Sequence, residues 1–238
     1  MRTPQYYIEN TFLDHYSDIL SVGTIVEFEA NVLLNPLNER MNELYYMLEG
    51  KSELGMLNEK GDEKIIWFLG EGCLFPLYSP MHWEYIIETD TLFLRSITRI
   101  KAIKITQKQF KDLVRENVEM SFSMLDQYAD LCDLLLYEVM NHSYENAFTK
   151  VCSFLWIYNQ RLQTKGIEMT QEKIALTIGT TRLNVSRALK NLREQNIIET
   201  NHKQILIHNE QALKKLCKRE ILEDFDSKKS TSDRIIPK

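Results

Sequence analysis

No stretch of this chain approaches the roughly 18 consecutive apolar residues needed to cross a bilayer. The opening residues, MRTPQYYIEN, lack the basic and apolar blocks of a secretory leader. A cytoplasmic protein with no membrane partner is expected. The four cysteines, Cys73, Cys132, Cys152 and Cys217, include no Cys-x-x-Cys pair, and the five histidines include none at helical metal-binding spacing. Metal and redox sites need ligands brought close by such spacing. No metal is therefore expected, and the cysteines read as small buried apolar groups with at most a surface thiol.

Strong basicity is missing too, since the net charge is −5, but the charge is unevenly spread. Residues 1–140 hold 12 Lys and Arg against 23 Asp and Glu, or −11, whereas residues 141–238 hold 17 against 11, or +6. A basic C-terminal part on an acidic body suits a phosphate-binding module joined to a regulatory domain. With 238 residues, 44% of them apolar and 10% aromatic, the chain can form one large or two modest globular domains.

From about Val22 to Thr106, short β-type runs alternate with turn signals, as in an all-β sandwich or barrel. The runs are Thr24 to Glu29, Leu44 to Leu57, Lys64 to Leu69, Glu84 to Thr89, Thr91 to Ser96 and Ile100 to Ile105, with a hairpin turn at Asn58 to Asp62. Gln107 to His142 contains neither Gly nor Pro and reads as one long helix. On it Val118, Phe122, Leu125, Ala129, Cys132, Leu136 and Val139 recur in alternating steps of four and three, a heptad seam. A second stripe, Met124, Tyr128, Leu131 and Leu135, runs beside it. Two stripes predict burial on two sides, one against the β domain and one against a partner helix; the sequence does not say which is which. NHSYEN at 141–146 reads as a polar hinge, followed by a helix from Phe148 to Leu162 that packs through Val151, Phe154, Leu155 and Tyr158.

The segment Met169 to Ile198 carries the clearest chemistry. Thr170 is a suitable N-cap for a short helix bearing Ile174, Ala175 and Ile178. Gly179 can make the sharp turn, and Thr180 or Thr181 can cap a second helix that buries Val185, Leu189 and Leu192. Arg182, Asn184, Ser186, Arg187, Lys190 and Arg193 fall largely elsewhere around that helix. Two short helices about a tight turn, the second opening with Arg and Asn, match a helix-turn-helix whose second helix reads the major groove. IIETNHKQILIHN then reads as a hairpin wing, and Gln211 to Phe225 as a further amphipathic helix.

These residues resemble the Crp-Fnr regulators. The DNA-binding signature of that family, Gly, two residues, Arg, two residues, Val, Ser or Gly, Arg, is met by Gly179, Arg182, Val185, Ser186 and Arg187. ELYYMLEGKSEL and NEKGDEKIIWFLGEGCLF follow its cyclic-nucleotide-binding-like jelly roll, with Gly50, Gly61 and Gly72 at the turns. The resemblance covers Val22 to Ile207. It implies an α+β chain with an effector-sensing jelly-roll β-barrel (1–106), a dimerisation helix (107–142) and a winged helix-turn-helix (143–225), leaving a disordered tail (226–238). It also implies a homodimer on near-palindromic double-stranded DNA that acts with RNA polymerase. Arg182 and Arg187 would then contact bases and phosphates, and Thr170, Thr181, Ser186, Lys190 and Lys203 would hold phosphates, with Asn184 beside them. The dimer helix would use Val118, Phe122, Met124, Leu125, Tyr128, Leu131, Cys132, Leu135, Leu136 and Val139.

The departures from the family pattern are informative. Members that bind cyclic AMP carry Gly-Glu-Leu and then Arg-Ser or Arg-Thr; here the first place reads Phe75-Pro76-Leu77-Tyr78, and no Arg occurs between Tyr78 and Leu94. A buried phosphate without its guanidinium would cost several kcal/mol, so cyclic AMP is not expected. Arg95-Ser96 falls at the end of a strand run and reads as structural. Iron-sulfur members use an N-terminal cysteine cluster, which nothing before Cys73 supplies; haem is not expected either. Phe75, Leu77, Tyr78, Trp83 and Tyr85, with Tyr128, would suit an apolar or aromatic effector, or would simply fill the barrel of a regulator that needs none. Where the family commonly has a Glu that accepts from cytosine stands Leu183, which predicts a half-site unlike TGTGA or TTGAT and richer in A·T. The remaining alternative, a cupin-type enzyme, needs a histidine-rich ligand set on the barrel strands, where only His82 lies; no enzyme activity is expected.

Overall fold

The computed structural model describes residues 6–34, 43–76, 92–160, 166–201 and 204–217. It divides into two compact units, one spanning residues 6–129 and the other beginning at residue 130.

The first unit runs β1 (Tyr7–Ile8), a 3-10 turn (Leu13–His15), α1 (Tyr16–Val22), β2 (Thr24–Phe28), β3 (Glu43–Glu49), β4 (Ser52–Leu57), β5 (Glu63–Leu69), β6 (Leu74–Phe75), β7 (Leu92–Ser96), β8 (Ile100–Thr106), α2 (Gln107–Glu116) and the first half of α3 (Val118–Tyr144). The strands form two four-stranded sheets, β1-β5-β4-β7 and β2-β8-β3-β6. All pairings are antiparallel except β1 on β5. The single run expected over Leu44 to Leu57 is two strands, β3 and β4, which belong to different sheets and are joined by a turn at Gly50, whose φ is 97° and where a Cβ would lie 2.3 Å from the Arg99 carbonyl oxygen. Only glycine tolerates both conditions. The turn at Asn58 to Asp62 forms as expected, with Asn58 Oδ1 accepting from the amides of Lys60 and Asp62. The run Glu84 to Thr89 lies outside the described residues.

The core under the second sheet joins Phe12, Ile19, Leu44, Tyr46, Ile103 and Phe110 to Met120 and Met124 of α3. Burying side chains of this size stabilises by roughly 1.5–3 kcal/mol each, which fixes this stretch of α3 on the barrel. Polar contacts add direction. Gln127, fully buried, donates from Nε2 to the Leu74 carbonyl (3.1 Å) and accepts from Thr11 Oγ1 (2.6 Å). His15 Nε2 lies 2.9 Å from Ser123 Oγ. The segment Tyr6 to Val22, unassigned from the sequence, thus threads along the barrel and braces α3.

The long helix differs from its sequence pattern in three ways. It is two helices: Asn117, at φ −124° and ψ 101°, ends α2 and accepts through its side chain from the Met120 amide. At the other end α3 runs on through Tyr144, so the expected hinge at 141–146 shrinks to Glu145 and Asn146. Finally, the buried stripe is Met120, Met124, Gln127, Leu134 and Tyr137, with Tyr128 and Leu131 half-buried and Leu135 exposed. The stripe expected from Met124 to Leu135 is therefore rotated. Gln127 hides it in the sequence, because a polar residue occupies a core position. The heptad seam is the outward stripe: Val118, Phe122, Leu125, Leu136 and Val139 each keep more than half of their surface exposed, and Cys132 is exposed with them.

The second unit continues with α4 (Ala147–Asn159), α5 (Gln171–Ile178), α6 (Arg182–Glu194), β9 (Ile198–Thr200), β10 (Ile205–Ile207) and α7 (Glu210–Leu216). Its core centres on α4, where every residue from Val151 to Tyr158 is buried, so this helix is enclosed on all sides. α7 ends earlier than expected, and the tail 226–238 lies outside the described residues. No helix among the described residues is long and apolar enough to cross a membrane.

Candidate nucleic-acid interface

α5 begins because Thr170 Oγ1 accepts from the Lys173 amide at 3.1 Å, and it ends at Gly179, which adopts φ 63° and ψ 51°. This left-handed C-cap lets the Gly179 amide reach the Ala175 carbonyl. Thr181 then caps α6 by accepting from the Asn184 amide at 3.2 Å. Both caps use only the hydroxyl oxygen's lone pairs. Each O–H proton remains a donor for a phosphate oxygen.

Val185, Ala188, Leu189 and Leu192 of α6 are buried, as their spacing predicts, and this turns Arg182, Leu183, Arg187 and Lys190 outward. Ser186 is half-buried within the same outward arc. Leu183 is 57% exposed, an apolar side chain amid cations. Asn184 differs from the other expected contacts, because its amide donates back to Thr180 Oγ1 at 3.1 Å and the residue is half-buried. It stabilises the turn between the helices. Lys190 lies 3.8 Å from Glu194, an exposed pair that holds it weakly.

The wing forms where the sequence places it. Ile205, Leu206 and Ile207 pair antiparallel with Thr200, Glu199 and Ile198, and Ile167 adds a further bridge to Ile205. Two braces were not legible in the sequence. Arg193 Nη1 donates to Thr200 Oγ1 at 2.7 Å, and Gln204 Nε2 donates to Glu168 Oε1 at 2.8 Å. They tie the wing to α6 and to the approach of α5, leaving a cleft of about 870 Å³ lined by Thr170, Arg182, Thr200, Asn201 and Gln204 among others. Lys203, expected to hold a phosphate, lies outside the described residues.

Of the expected effector residues, Leu77, Tyr78, Trp83 and Tyr85 lie outside the described residues. Phe75 is buried in β6 opposite Tyr45, and Tyr128 is half-buried against the barrel core, where burial pushes its hydroxyl up to about 12. Arg95 is committed to the protein. Its Nε lies 2.8 Å from Glu53 Oε1, its Nη2 2.6 Å from Glu63 Oε2, and its guanidinium 4.6 Å from the Phe93 ring centre. A fork held by two carboxylates is structural, as its place at a strand end suggests.

Comparison with known proteins agrees with this geometry. Residues 149–216 match the Crp-like helix-turn-helix domain, which takes in α4 to α7. The global nitrogen regulator of Nostoc sp. is 25% identical over 191 residues, covering 76% of this chain and 83% of that protein. The cAMP-activated global transcriptional regulator CRP of Salmonella typhimurium is 22% identical over 195 residues, covering 79% and 91%. In fold, FixK2 from Bradyrhizobium japonicum superposes with a TM-score of 0.72 at 20% identity, covering 83% of this chain and 98% of that one. These relatives are regulators rather than enzymes. With a jelly-roll unit, a long helix and a winged reader in one chain, this protein carries a Crp-like helix-turn-helix domain and is similar over most of its length to transcription regulators of the Crp-Fnr type.

Proposed function

We propose that the chain works as a homodimer that places two α6 helices in successive major grooves of a near-palindromic site and answers to a small molecule other than a cyclic nucleotide. The observation that carries the dimer is the exposed seam on α3. Five large apolar side chains at heptad spacing, from Val118 to Val139, form a continuous outward stripe, and a second copy of the same helix covers such a stripe best. Two-fold symmetry then sets the readers about one DNA turn apart. Arg182 and Arg187 read base edges, the hydroxyls of Thr170, Thr181 and Ser186 with Lys190 and Lys203 hold phosphates, and Leu183 meets a thymine methyl. The dimer acts in the cytoplasm, at promoters, through RNA polymerase.

A non-nucleotide effector is supported by Arg95, whose guanidinium already serves Glu53 and Glu63, and by the missing Arg between Tyr78 and Leu94. A second reading, a regulator active without ligand, is favoured by Gln127: α3 is already hydrogen-bonded to Thr11 and to the Leu74 carbonyl by the protein's own groups. Titrating DNA binding with small apolar and aromatic acids separates the two. A ligand that changes DNA affinity supports the effector-controlled regulator, whereas affinity unmoved by every ligand that enters the barrel supports constitutive binding.

A further inference from the structure

The reader is joined to α3 by only two residues, Glu145 and Asn146, and Asn146 already starts the next helix by accepting from the Thr149 amide at 3.0 Å. A single covalent joint leaves rotation about itself free, so a second contact is needed to fix the angle between α3 and α6. The structure supplies one within this unit. The imidazole of His142, in the last turn of α3, lies against Gly179, the left-handed residue between α5 and α6. A Cβ at Gly179 would fall 2.5 Å from His142 Cε1 and 2.9 Å from Nε2. The ring thus occupies the space that any side chain at 179 would take. The φ of 63° favours glycine there, and the His142 ring, exposed on its other side, lies over the bare Cα that glycine leaves. Tyr144, the next large side chain, is exposed.

We propose that His142 is a positioning residue for DNA recognition: the ring seated on Gly179 is the second point of attachment that sets the direction of α6 relative to the dimer axis, and hence the spacing of half-sites the dimer accepts. This rests on the dimeric DNA-reading function proposed above. Loss of the ring leaves each reader intact but free to swivel, so the dimer loses its preference for one spacing rather than its ability to recognise a half-site.

The test uses the full chain and four DNA duplexes: one with a single half-site, one with two at the selected spacing, and two with that spacing altered by one and two base pairs. The wild type should bind the selected spacing tightest. His142→Ala should weaken binding to that duplex several-fold, leave single-half-site binding unchanged and flatten the difference among spacings, while His142→Phe, which keeps a planar ring, restores the preference. Gly179→Ala displaces the ring and strains the turn, and should flatten the preference as well; thermal melting identifies any loss due to unfolding. Intact spacing preference in His142→Ala overturns the proposal, as does equal weakening on all four duplexes. A wild type with no preference for two half-sites over one overturns the dimeric reading on which it stands.

Discussion

In the proposed role of α6 as the DNA-reading helix, Leu183 changes what that helix can recognise. It stands exposed between Arg182 and Arg187 on a face otherwise made of cations and hydroxyls. Its isobutyl group can touch a thymine methyl and can accept nothing, so no group at this position rewards the amino group of cytosine. Leu183→Glu should restore an acceptor and move preference at the facing position from A·T toward C·G. A matched base pair there is worth about 1–3 kcal/mol, or about five- to 150-fold in relative affinity. Competition between duplexes differing at that one position measures it; an unchanged ratio would show that Leu183 does not face the bases.

The thiols and phenols carry a second prediction at this scale. Burial raises Cys73 from 9.0 to about 11, and Cys152 and Cys217 to about 12, while burial also lifts Tyr128 from 10.0 to about 12. Above pH 9 the unfolded chain releases protons that the folded protein keeps. Stability must therefore fall as pH rises from 9 toward 12. Urea midpoints at pH 8 and pH 10 check the sign, and a higher midpoint at pH 10 would contradict these burials. In the sequence these cysteines are legible as core residues only by the absence of partners at metal or redox spacing.

At the scale of elements, α3 gave up its period in the sequence but not its break or its inner face. The seam is legible because apolar residues repeat at steps of four and three and nothing polar interrupts them. The inner stripe is not, because Gln127 sits in the core and is satisfied by Thr11 and the Leu74 carbonyl, partners more than 50 residues away in sequence. Asn117 likewise breaks the helix by accepting from the Met120 amide at the start of α3, and a single Asn within a long apolar repeat does not by itself announce that break. The helix-turn-helix was nearly fully legible, since caps, turn glycine and buried spacing are all local. Arg193 and Gln204, which brace the wing, depend on tertiary contact and escaped that reading. The seam assignment makes a distinction between neighbouring residues. Leu125→Asp, on the outward stripe, should give folded monomers, whereas Met124→Asp, in the barrel core, should unfold the barrel unit, because an unpaired charge is buried there. Sedimentation and circular dichroism distinguish them; a stable Leu125→Asp dimer would move the interface elsewhere.

At the scale of the whole molecule, an acidic N-terminal part and a basic C-terminal part are joined through α3, whose outward face carries an exposed apolar seam and which leads into the helix-turn-helix unit. A net positive charge concentrated in the C-terminal part would favour DNA phosphate in the proposed role. The most direct test of this arrangement is selection of binding sites from random duplex DNA by the full-length protein. The account predicts two inverted half-sites about one helical turn apart, rich in A·T at the position facing Leu183, and lost when Arg182 and Arg187 are both changed to Ala. Recovery of a single unpaired site, or of no sequence preference, would contradict it.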